Sequence, residues 1–332
     1  MAVTVQTSCR TAVALLLLTA CTVRAQDGQP QWLRANVGKL RTQITYDVFS
    51  ACERDVEDQD TDLALVRHAF RVFAPLWQDE TQEVAARATV GAWDLDTDAR
   101  LERPGPHLPD HLWDLHFGGS WRRKLANDWT VGAGVDIGSP SDKPFETCEE
   151  VSVNAMANLR IPTGKRDAWL FFLQYSNNRP FAQHVPLPGI AYQWVPDPQR
   201  LRAVIGVPFA NLQAEPINRL TINLRYLLLR RVHAQVGYRL LDPLKVYAAF
   251  DWDNHSFFRA GRADNDDRLF YYEKRLTAGI RWDIAEGLSV DVFTGYAFDR
   301  FFFEGEGYDD RGDSRINIAD GTFAGIKVEY RF

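Results

Sequence analysis

The sequence lacks any apolar run long enough to cross a membrane as a helix. The run nearest the N-terminus, Ala12 to Cys21, has ten residues, whereas a spanning helix needs about 20. No later run approaches that length, and helical periodicity is scarce after residue 34. If this chain spans a membrane, only a closed β-barrel remains, because lipid requires every backbone polar group to be satisfied within the protein.

Positive charge is also in short supply. The sequence has 38 Lys and Arg residues against 44 Asp and Glu residues, which gives a net charge of −6. Removing residues 1–25, which contain Arg10 and Arg24 but no acid, leaves 36 basic against 44 acidic residues and a net charge of −8. Nucleic acid is therefore not an expected partner.

The sequence also has few cysteines. Two of the four cysteines lie within the first 25 residues, so only Cys52 and Cys148 remain in the rest of the chain. An oxidising compartment would permit a disulfide between them, but their spacing alone does not show that one forms.

The first 25 residues have the pattern of a secretory signal peptide. Arg10 supplies the positive charge, and Ala12 to Cys21 forms the short apolar core. Val23-Arg24-Ala25 then provides small residues for cleavage before Gln26. The pattern predicts export through the Sec route.

A lipoprotein signal is the competing interpretation of the same region. Leu18-Thr19-Ala20-Cys21 resembles a lipobox, which would leave an outer-membrane lipoprotein acylated at Cys21. An integral barrel needs no lipid anchor, so we favour the first cleavage site. Residues 26–34 are polar and are expected to form a flexible segment, and the folded domain is predicted to cover residues 35–332.

Alternation of apolar and polar residues dominates that domain, most clearly in residues 321–332. One set of alternate positions is mostly apolar and ends in two aromatics: Thr322, Ala324, Ile326, Val328, Tyr330 and Phe332. The intervening set is mostly charged: Phe323, Gly325, Lys327, Glu329 and Arg331. Successive side chains of a strand point to opposite faces. This pattern is typical of a transmembrane β-barrel strand, with apolar side chains towards lipid and polar ones towards the lumen.

The predicted fold is all-β: a single antiparallel transmembrane β-barrel with an even number of strands. Short connections alternate with longer, often acidic ones, as periplasmic turns and external loops do in bacterial barrels. Placing the end of the last strand in the periplasm and counting backwards gives sixteen strands, the first at about residues 37–48. Short strands in the 188–227 region leave fourteen or twelve as alternatives. A secreted β-sandwich would also alternate, but charges of both signs along one face and an unbroken loop rhythm argue against it.

Charges of both signs occupy the predicted lumen positions. The candidate lumen charges are Arg225, Arg239, Asp251, Asp253, Glu273, Arg275, Arg281, Asp283, Asp291, Lys327 and Glu329. They either neutralise one another across neighbouring strands or set the ion selectivity of a pore. Acids of two external loops would favour cations if they folded into the pore. These candidate mouth acids are Asp264, Asp266, Asp267, Asp309, Asp310 and Asp313.

The predicted function is passive transport by a porin-like channel for ions or small solutes. A closed or plugged barrel with a structural or surface-binding role is one alternative, because an inward-folded loop such as 300–319 would leave little open lumen. A hydrolase acting on envelope lipids is another, with His233 or His255 as base and Ser256 or Ser289 as nucleophile. No motif links these residues, so the chain is not predicted to be an enzyme. The sequence leaves the oligomeric state open, a homo-oligomer included.

No metal or cofactor site is predicted. His107, His111 and His116 are close in sequence, and three histidines can bind zinc. Pro109 interrupts the helix that would bring the first two onto one face. Two acidic D-x-D-x-D runs lack the Gly and Glu positions of a calcium-binding EF-hand loop.

The C-terminus and the second half of the chain carry two resemblances to known proteins. Val328, Tyr330 and the terminal Phe332 resemble the signal that directs bacterial outer-membrane proteins to the barrel-assembly machinery. From about Gly189 onwards the chain is similar to an uncharacterised family of bacterial outer-membrane barrels. The matching segments are Val204-Ile-Gly-Val-Pro-Phe209, Tyr247-Ala-Ala-Phe-Asp-Trp252, Arg268-Leu-Phe-Tyr-Tyr-Glu-Lys274, Gly295-Tyr-Ala-Phe-Asp-Arg300 and Phe303-Glu-Gly305. The resemblances imply an integral outer-membrane protein whose partners are membrane lipid, lipopolysaccharide and the assembly machinery, and they imply no activity.

Overall fold

The structure, a computed structural model, describes residues 33–34, 36–101, 105–312 and 315–332. The predicted signal peptide, the lipobox with Cys21 and the mouth acid Asp313 lie outside these residues. Among the described residues, no helix is long and apolar enough to cross a membrane.

The described chain forms one antiparallel sheet of long strands joined in sequence order. The strands are β1 (Gln43–Asp55), β2 (Asp62–Gln78), β3 (Gln82–Asp96), β4 (His111–Lys124), β5 (Thr130–Ser141), β6 (Ser152–Thr163), β7 (Asp167–Ser176), β8 (Leu187–Asp197), β9 (Leu201–Val207), β10 (Phe209–Ala214), β11 (Leu220–Leu227), β12 (Arg231–Leu241), β13 (Leu244–Phe257), β14 (Arg268–Ala285), β15 (Leu288–Gly305), β16 (Ile316–Ile318) and β17 (Gly321–Arg331). Two short 3-10 turns, Cys148–Glu150 and Tyr308–Gly312, lie in the connections.

The sheet closes on itself between its first and last long strands. β1 pairs with β17 from Gln43↔Arg331 to Ala51↔Phe323, and also with β2. β16 has three residues and continues the line of β17: it pairs with the far end of β15, and Ile318 forms a bridge with Val56 just after β1. The remaining strands form a closed antiparallel barrel of sixteen, and the prediction of fold class and strand number is confirmed.

The connections follow the predicted rhythm. Seven short turns lie at one end of the barrel, for example residues 79–81 and 286–287, and the longer connections lie at the other. We call these the short-turn end and the long-loop end. β1 begins six residues later than predicted, because residues 36–41 run inside the barrel; Thr42 already exchanges two backbone hydrogen bonds with Phe332.

The outer face of the wall is apolar, as the alternation predicts. On β17, Ile326, Tyr330 and Phe332 are exposed, whereas Phe323 and Glu329 point inward and are buried. Six of the ten tryptophans are exposed on the outer face beside the short turns: Trp77, Trp121, Trp129, Trp169, Trp194 and Trp282. Such a row of aromatics is typical of a membrane–water interface.

A short N-terminal segment crosses the inside of the short-turn end. We call residues 33–34 and 36–42 the strap. Its backbone is held by side chains of four different strands, with hydrogen bonds to Gln78, Glu83, Arg122 and Gln193 of 2.6–3.2 Å. Leu33, which the sequence placed in the flexible segment, is buried against Leu170, Ala191 and Val204.

Glycine is required at one position of the strap. Gly38 has a φ of +75°, and a Cβ atom there would lie 1.9 Å from the carbonyl oxygen of Asp79 in the β2–β3 turn. Only a residue without a side chain allows this approach and this backbone conformation.

The long-loop end is filled by an apolar core. We call it the outer apolar layer, and its buried members are Phe49, Ala51, Val56, Leu63, Leu65, Trp93, Leu95, Ala99, Leu101, Leu108, Leu112, Phe257, Leu269, Tyr271, Ala297, Phe302, Ile316, Ile318 and Phe323. Some are inward-facing strand residues, and others come from loops folded inward between them. A sixteen-stranded barrel is too wide for wall side chains alone to fill, so the loop residues complete the core.

Candidate functional site: a charged cavity below the outer apolar layer

A large polar cavity occupies the short-turn half of the barrel. Its volume is about 1540 Å³, larger than the usual pocket for a small molecule of about 300–1,000 Å³. At one end it is lined by turn residues such as Lys165 and Glu286, and at the other by Phe49, Trp93 and His255. No described residue of the long loops contributes to this lining. The cavity therefore ends beneath the outer apolar layer.

The structure brings most of the candidate lumen charges together in this cavity. Those that line it are Arg225, Asp251, Asp253, Arg275, Arg281, Asp291, Lys327 and Glu329. Glu273 points inward but is completely buried just above the cavity. Arg239 and Asp283 lie near the short turns and are not part of its lining.

A network of ion pairs separates the cavity from the apolar layer. Arg67 of β2 bonds Glu273 of β14 at 2.7 Å, four strands away around the wall. Arg275 contacts both Glu273, at 3.1 Å, and Asp253, at 2.7 Å. Arg231 pairs with the other oxygen of Asp253. We call these five residues the charged partition; each carboxylate meets two guanidinium groups.

Aromatic rings cover the outer side of the charged partition. The Arg67 guanidinium lies 3.8 Å from the centre of the Phe49 ring and 4.9 Å from that of Trp93. Tyr271 donates a hydrogen bond to Glu273 at 3.0 Å. The carboxylate and its partners are thus held by hydrogen bonds in a site that the apolar layer shields from the long-loop side.

A second set of ion pairs lies near the end of β17. Glu329 is contacted by Arg331 at 2.5 Å, by Arg281 at 3.5 Å and by Lys327 at 3.6 Å. Tyr247 donates to Asp291 at 2.9 Å. On the β12–β17 side of the cavity, charges of opposite sign therefore neutralise one another across neighbouring strands.

The opposite side of the cavity is different. Six basic residues of the strap region and the β6–β9 wall form no ion pair with any residue in the described parts of the chain: Lys39, Arg41, Arg160, Lys165, Arg166 and Arg202. We call them the basic wall. Asp167, an acid of the same wall, accepts hydrogen bonds from Tyr192 Oη and the backbone N–H of Val195.

None of these six basic residues is among the candidates that the sequence pattern indicated. Arg160 occupies the inward parity of β6, opposite in phase to the outward-facing Ala157 and Leu159. The alternation contained this signal, because it placed Arg160 in the lumen. Whether a carboxylate pairs with Arg160 depends on side chains from other strands. Alternation within β6 carries no information about those side chains.

The lining as a whole has an excess of positive charge. It contains seventeen Lys or Arg residues and nine Asp or Glu residues, whereas the full sequence has a net charge of −6. The excess of acid in this protein therefore lies outside the cavity.

None of the five candidate mouth acids that the structure describes lines the cavity. Asp264, Asp266 and Asp267 lie in the β13–β14 connection, and Asp309 and Asp310 lie in the 3-10 turn after β15. Neighbouring acids and partial burial raise the pKa of Asp267, with burial the larger cause. These loops bind other loops, which is why their acids stay at the outer end.

The β13–β14 connection reaches the opposite wall of the barrel. The backbone N–H of Phe258 donates to Pro140 O at 2.7 Å, and that of Ala260 donates to Asp142 Oδ1 at 2.7 Å. Arg262 contacts Glu150 at 3.4 Å. β13 and β5 are eight strands apart in either direction around the barrel, so this contact spans its full width above the apolar layer.

The residues considered for hydrolysis are not paired. His233 Nδ1 lies 2.7 Å from Asp251 Oδ1, and His255 packs against Trp93. Ser256 follows His255 on the same strand and so points to the opposite face. In the part of the chain that the structure describes, no hydrogen bond joins Ser256 or Ser289 to either histidine. The geometry gives the hydrolase alternative no support.

Each of the three clustered histidines contacts a different aspartate residue. His107 contacts the backbone oxygen of Asp98 at 3.1 Å, and His111 and His116 each contact an aspartate at 2.9 Å. No group of His, Cys, Asp or Glu within the described ranges is arranged to hold a metal ion.

The two cysteines are free thiols, and no disulfide joins them. Cys52 lies on the outer face of β1, next to Thr322 Oγ1 at 3.7 Å. Cys148 lies in the β5–β6 connection, four strands away. A disulfide requires Cα atoms within about 7 Å, and the two positions belong to separate regions of the barrel wall.

No family model matches the chain, and no curated protein matches it. Solved structures of similar architecture include an outer-membrane channel from Pseudomonas putida F1, at 10% identity and a TM-score of 0.38, covering 92% of this chain and 100% of that one. Pseudomonas aeruginosa OccK7 (OpdD) is 9% identical with a TM-score of 0.41, covering 88% and 98%. The β domain of the Bordetella autotransporter BrkA is 14% identical with a TM-score of 0.32, covering 88% and 100%. These likenesses concern the barrel architecture alone, and the resemblance to an uncharacterised barrel family stays a prediction.

Proposed function

We propose that this protein is an integral outer-membrane barrel that passes small charged solutes passively, and that its structure is the closed form of the channel. The charged cavity carries this proposal. It lies in the short-turn part of the barrel, and charged side chains of the wall line it. A barrel that served only as a membrane anchor would gain stability from apolar packing there.

The membrane location rests on the outer surface. Its exposed side chains are apolar, and tryptophans gather beside the short turns. The polar residues point inward, which is the arrangement for lipid outside and water inside. In the outer membrane the short turns would face the periplasm, and the cavity would fill from that side.

The outer apolar layer favours a second candidate, a barrel that never opens. The layer and the β13–β14 connection together close the long-loop end. Conduction requires the layer to rearrange. Its members that lie in connections can move without disturbing the wall, because they belong to no wall strand. Ala99, Leu101 and Leu108 belong to one such loop, the β3–β4 connection.

Conductance in a planar bilayer decides between the two candidates. We would compare the natural protein with a variant in which residues 97–109 are replaced by a short Gly-Ser turn, which removes those three residues from the layer. The exposed Asp98 supplies a matched control, Asp98→Asn, in the same loop.

We expect the natural protein and the control to be mostly silent and the loop variant to show discrete open steps. Open steps from the natural protein would mean that the layer opens unaided and would also support a channel. Silence from a loop variant that still folds, shown by faster migration of the unheated protein on a gel, would establish a permanently closed barrel and refute the proposal.

A further inference from the structure

The basic wall of the cavity has the chemistry of a binding site for anions. We propose that it binds small oxyanions, of the phosphate, sulfate or carboxylate class, that enter from the short-turn end. The inference rests on the proposed function in one respect, since it names the class of solute that the cavity would receive.

Arg160 is the residue of the basic wall that most strongly indicates an anion site. Arg160 is only 5% exposed, and within the described residues its guanidinium makes one hydrogen bond, from Nε to Gln193 Oε1 at 3.3 Å. Gln193 is neutral, and no carboxylate pairs with Arg160 among the described residues. A charge that solvent reaches only from the cavity side, with no carboxylate partner, still carries a solvation cost. A bound oxyanion would offset that cost, because a guanidinium offers two parallel N–H donors that match two oxygens.

Arg202 extends the site along the wall. Its Nε donates to the backbone oxygen of Pro198 at 2.9 Å, and it too lacks an ion pair within the described residues. A carbonyl orients the group without neutralising it. Lys165 and Arg166 lie at the turn below, so an approaching anion meets positive charge before it reaches Arg160 and Arg202.

The distribution of charge over the whole molecule points the same way. The lining has an excess of eight positive charges, and the rest of the 332-residue sequence has 21 basic and 35 acidic residues. Structural neutralisation alone would pair the basic wall with some of these acids, as happens around Glu329. Asp167, which lies in the same wall, instead accepts hydrogen bonds from Tyr192 and a backbone N–H.

Calorimetric titration of the folded protein in a zwitterionic detergent tests the proposal. The probes are sodium phosphate and sodium sulfate, with sodium chloride at equal ionic strength as the reference. We expect saturable binding of phosphate or sulfate with a Kd of about 1 mM or tighter. The double variant Arg160→Gln/Arg202→Gln should bind about tenfold more weakly or worse, and Arg160→Lys/Arg202→Lys should retain part of the affinity. Arg239→Gln, outside the cavity lining, should bind like the natural protein.

Absence of saturable binding to the natural protein, or unchanged affinity in a folded double variant, would overturn the proposal. If Arg160→Gln prevents folding, the single variant Arg202→Gln applies the same test at a less buried position. The titration needs no open pore. A barrel that binds but never conducts would refute only the channel, and a channel that conducts without binding would refute only this site.

Discussion

The two halves of the lumen are built from the same strands but have opposite chemistry. Along β2 the inward positions change from Leu63 and Leu65 to Arg67 and Arg71, and along β14 they change from Leu269 to Glu273. The long-loop half is a dry core and the short-turn half a wet, charged cavity. Side chains of the wall therefore help to close the long-loop end of the lumen, and loop side chains fill the space that remains. The charged partition marks the boundary between the halves.

The largest effect should come from a cavity in the outer apolar layer. Phe302 is fully buried there, and Phe302→Ala should lower the free energy of unfolding by about 3–5 kcal/mol, because the transfer and cavity costs add. Val292→Ala on the lipid-facing side of the same strand should cost about 1.6 kcal/mol, since no cavity forms. Urea unfolding in detergent, followed by tryptophan fluorescence, gives both values. Equal losses would show that the long-loop half is not a packed core.

Removing the carboxylate of Glu273 should destabilise the charged partition between the two halves. Glu273→Gln leaves Arg67 without its buried partner and takes one of two carboxylates from Arg275, and it should cost about 3 kcal/mol. Asp283→Asn removes an exposed partner of Arg281 and should change stability by less than about 1 kcal/mol. A double variant, Arg67→Met with Glu273→Gln, should recover part of the loss. If it is no more stable than Glu273→Gln, the two side chains do not act as a pair.

At the short-turn end of the lumen, two glycine substitutions test how the strap is held. Gly38 and Gly164 both have a φ of +75°, but only Gly38 has a neighbour within 4 Å of a substituted Cβ. Gly164→Ala should therefore cost about 1 kcal/mol from backbone strain alone. Gly38→Ala should cost more, about 2 kcal/mol, and should detach the strap. Labelling of a cysteine placed at Lys39 should then speed up in Gly38→Ala and stay unchanged in Gly164→Ala. Equal labelling rates would mean that the close approach to Asp79 does not hold the strap.

The smallest effect concerns the acidic long-loop surface. The pKa of Asp267 is raised in the folded protein, so folding favours its protonated form and the ionised form opposes folding above that pKa. Asp267→Asn should raise stability at pH 7 by less than about 0.5 kcal/mol, and the difference should shrink as the pH falls through the raised pKa. Stability measured at pH 7 and pH 4 checks the sign. A gap that grows at pH 4 would contradict it.

Much of the barrel could be predicted from the sequence because strand alternation is local. Sixteen strands, the short and long connections and the outward position of Ile326 or Tyr330 all follow from a period of two and from turn residues. The displaced start of β1 shows the limit. Residues 37–42 alternate well enough to resemble a strand, but contacts with Gln78 and Glu83 hold Gly38 and Leu40 inside the barrel, and only Thr42 pairs in the wall.

The placement of charges was less predictable. Inward-facing Asp253 and Arg275 follow from parity, but parity does not show which charges are paired. It also does not show whether Asp264 or Asp309 turns into the lumen or lies on other loops. Those outcomes depend on where each connection goes after it leaves its strand, and acidic composition is compatible with either.

The class of the fold, an even number of strands and the face of most strand side chains follow from the sequence, because they depend on residues next to one another in the chain. The closed long-loop end, the positive charge of the cavity and the unpaired basic wall became visible only in the folded barrel. These features arise from contacts between distant segments. Arg67 meets Glu273 across 206 positions, and Leu33 meets Gln193 across 160. Such contacts exist only once the sheet has closed on itself.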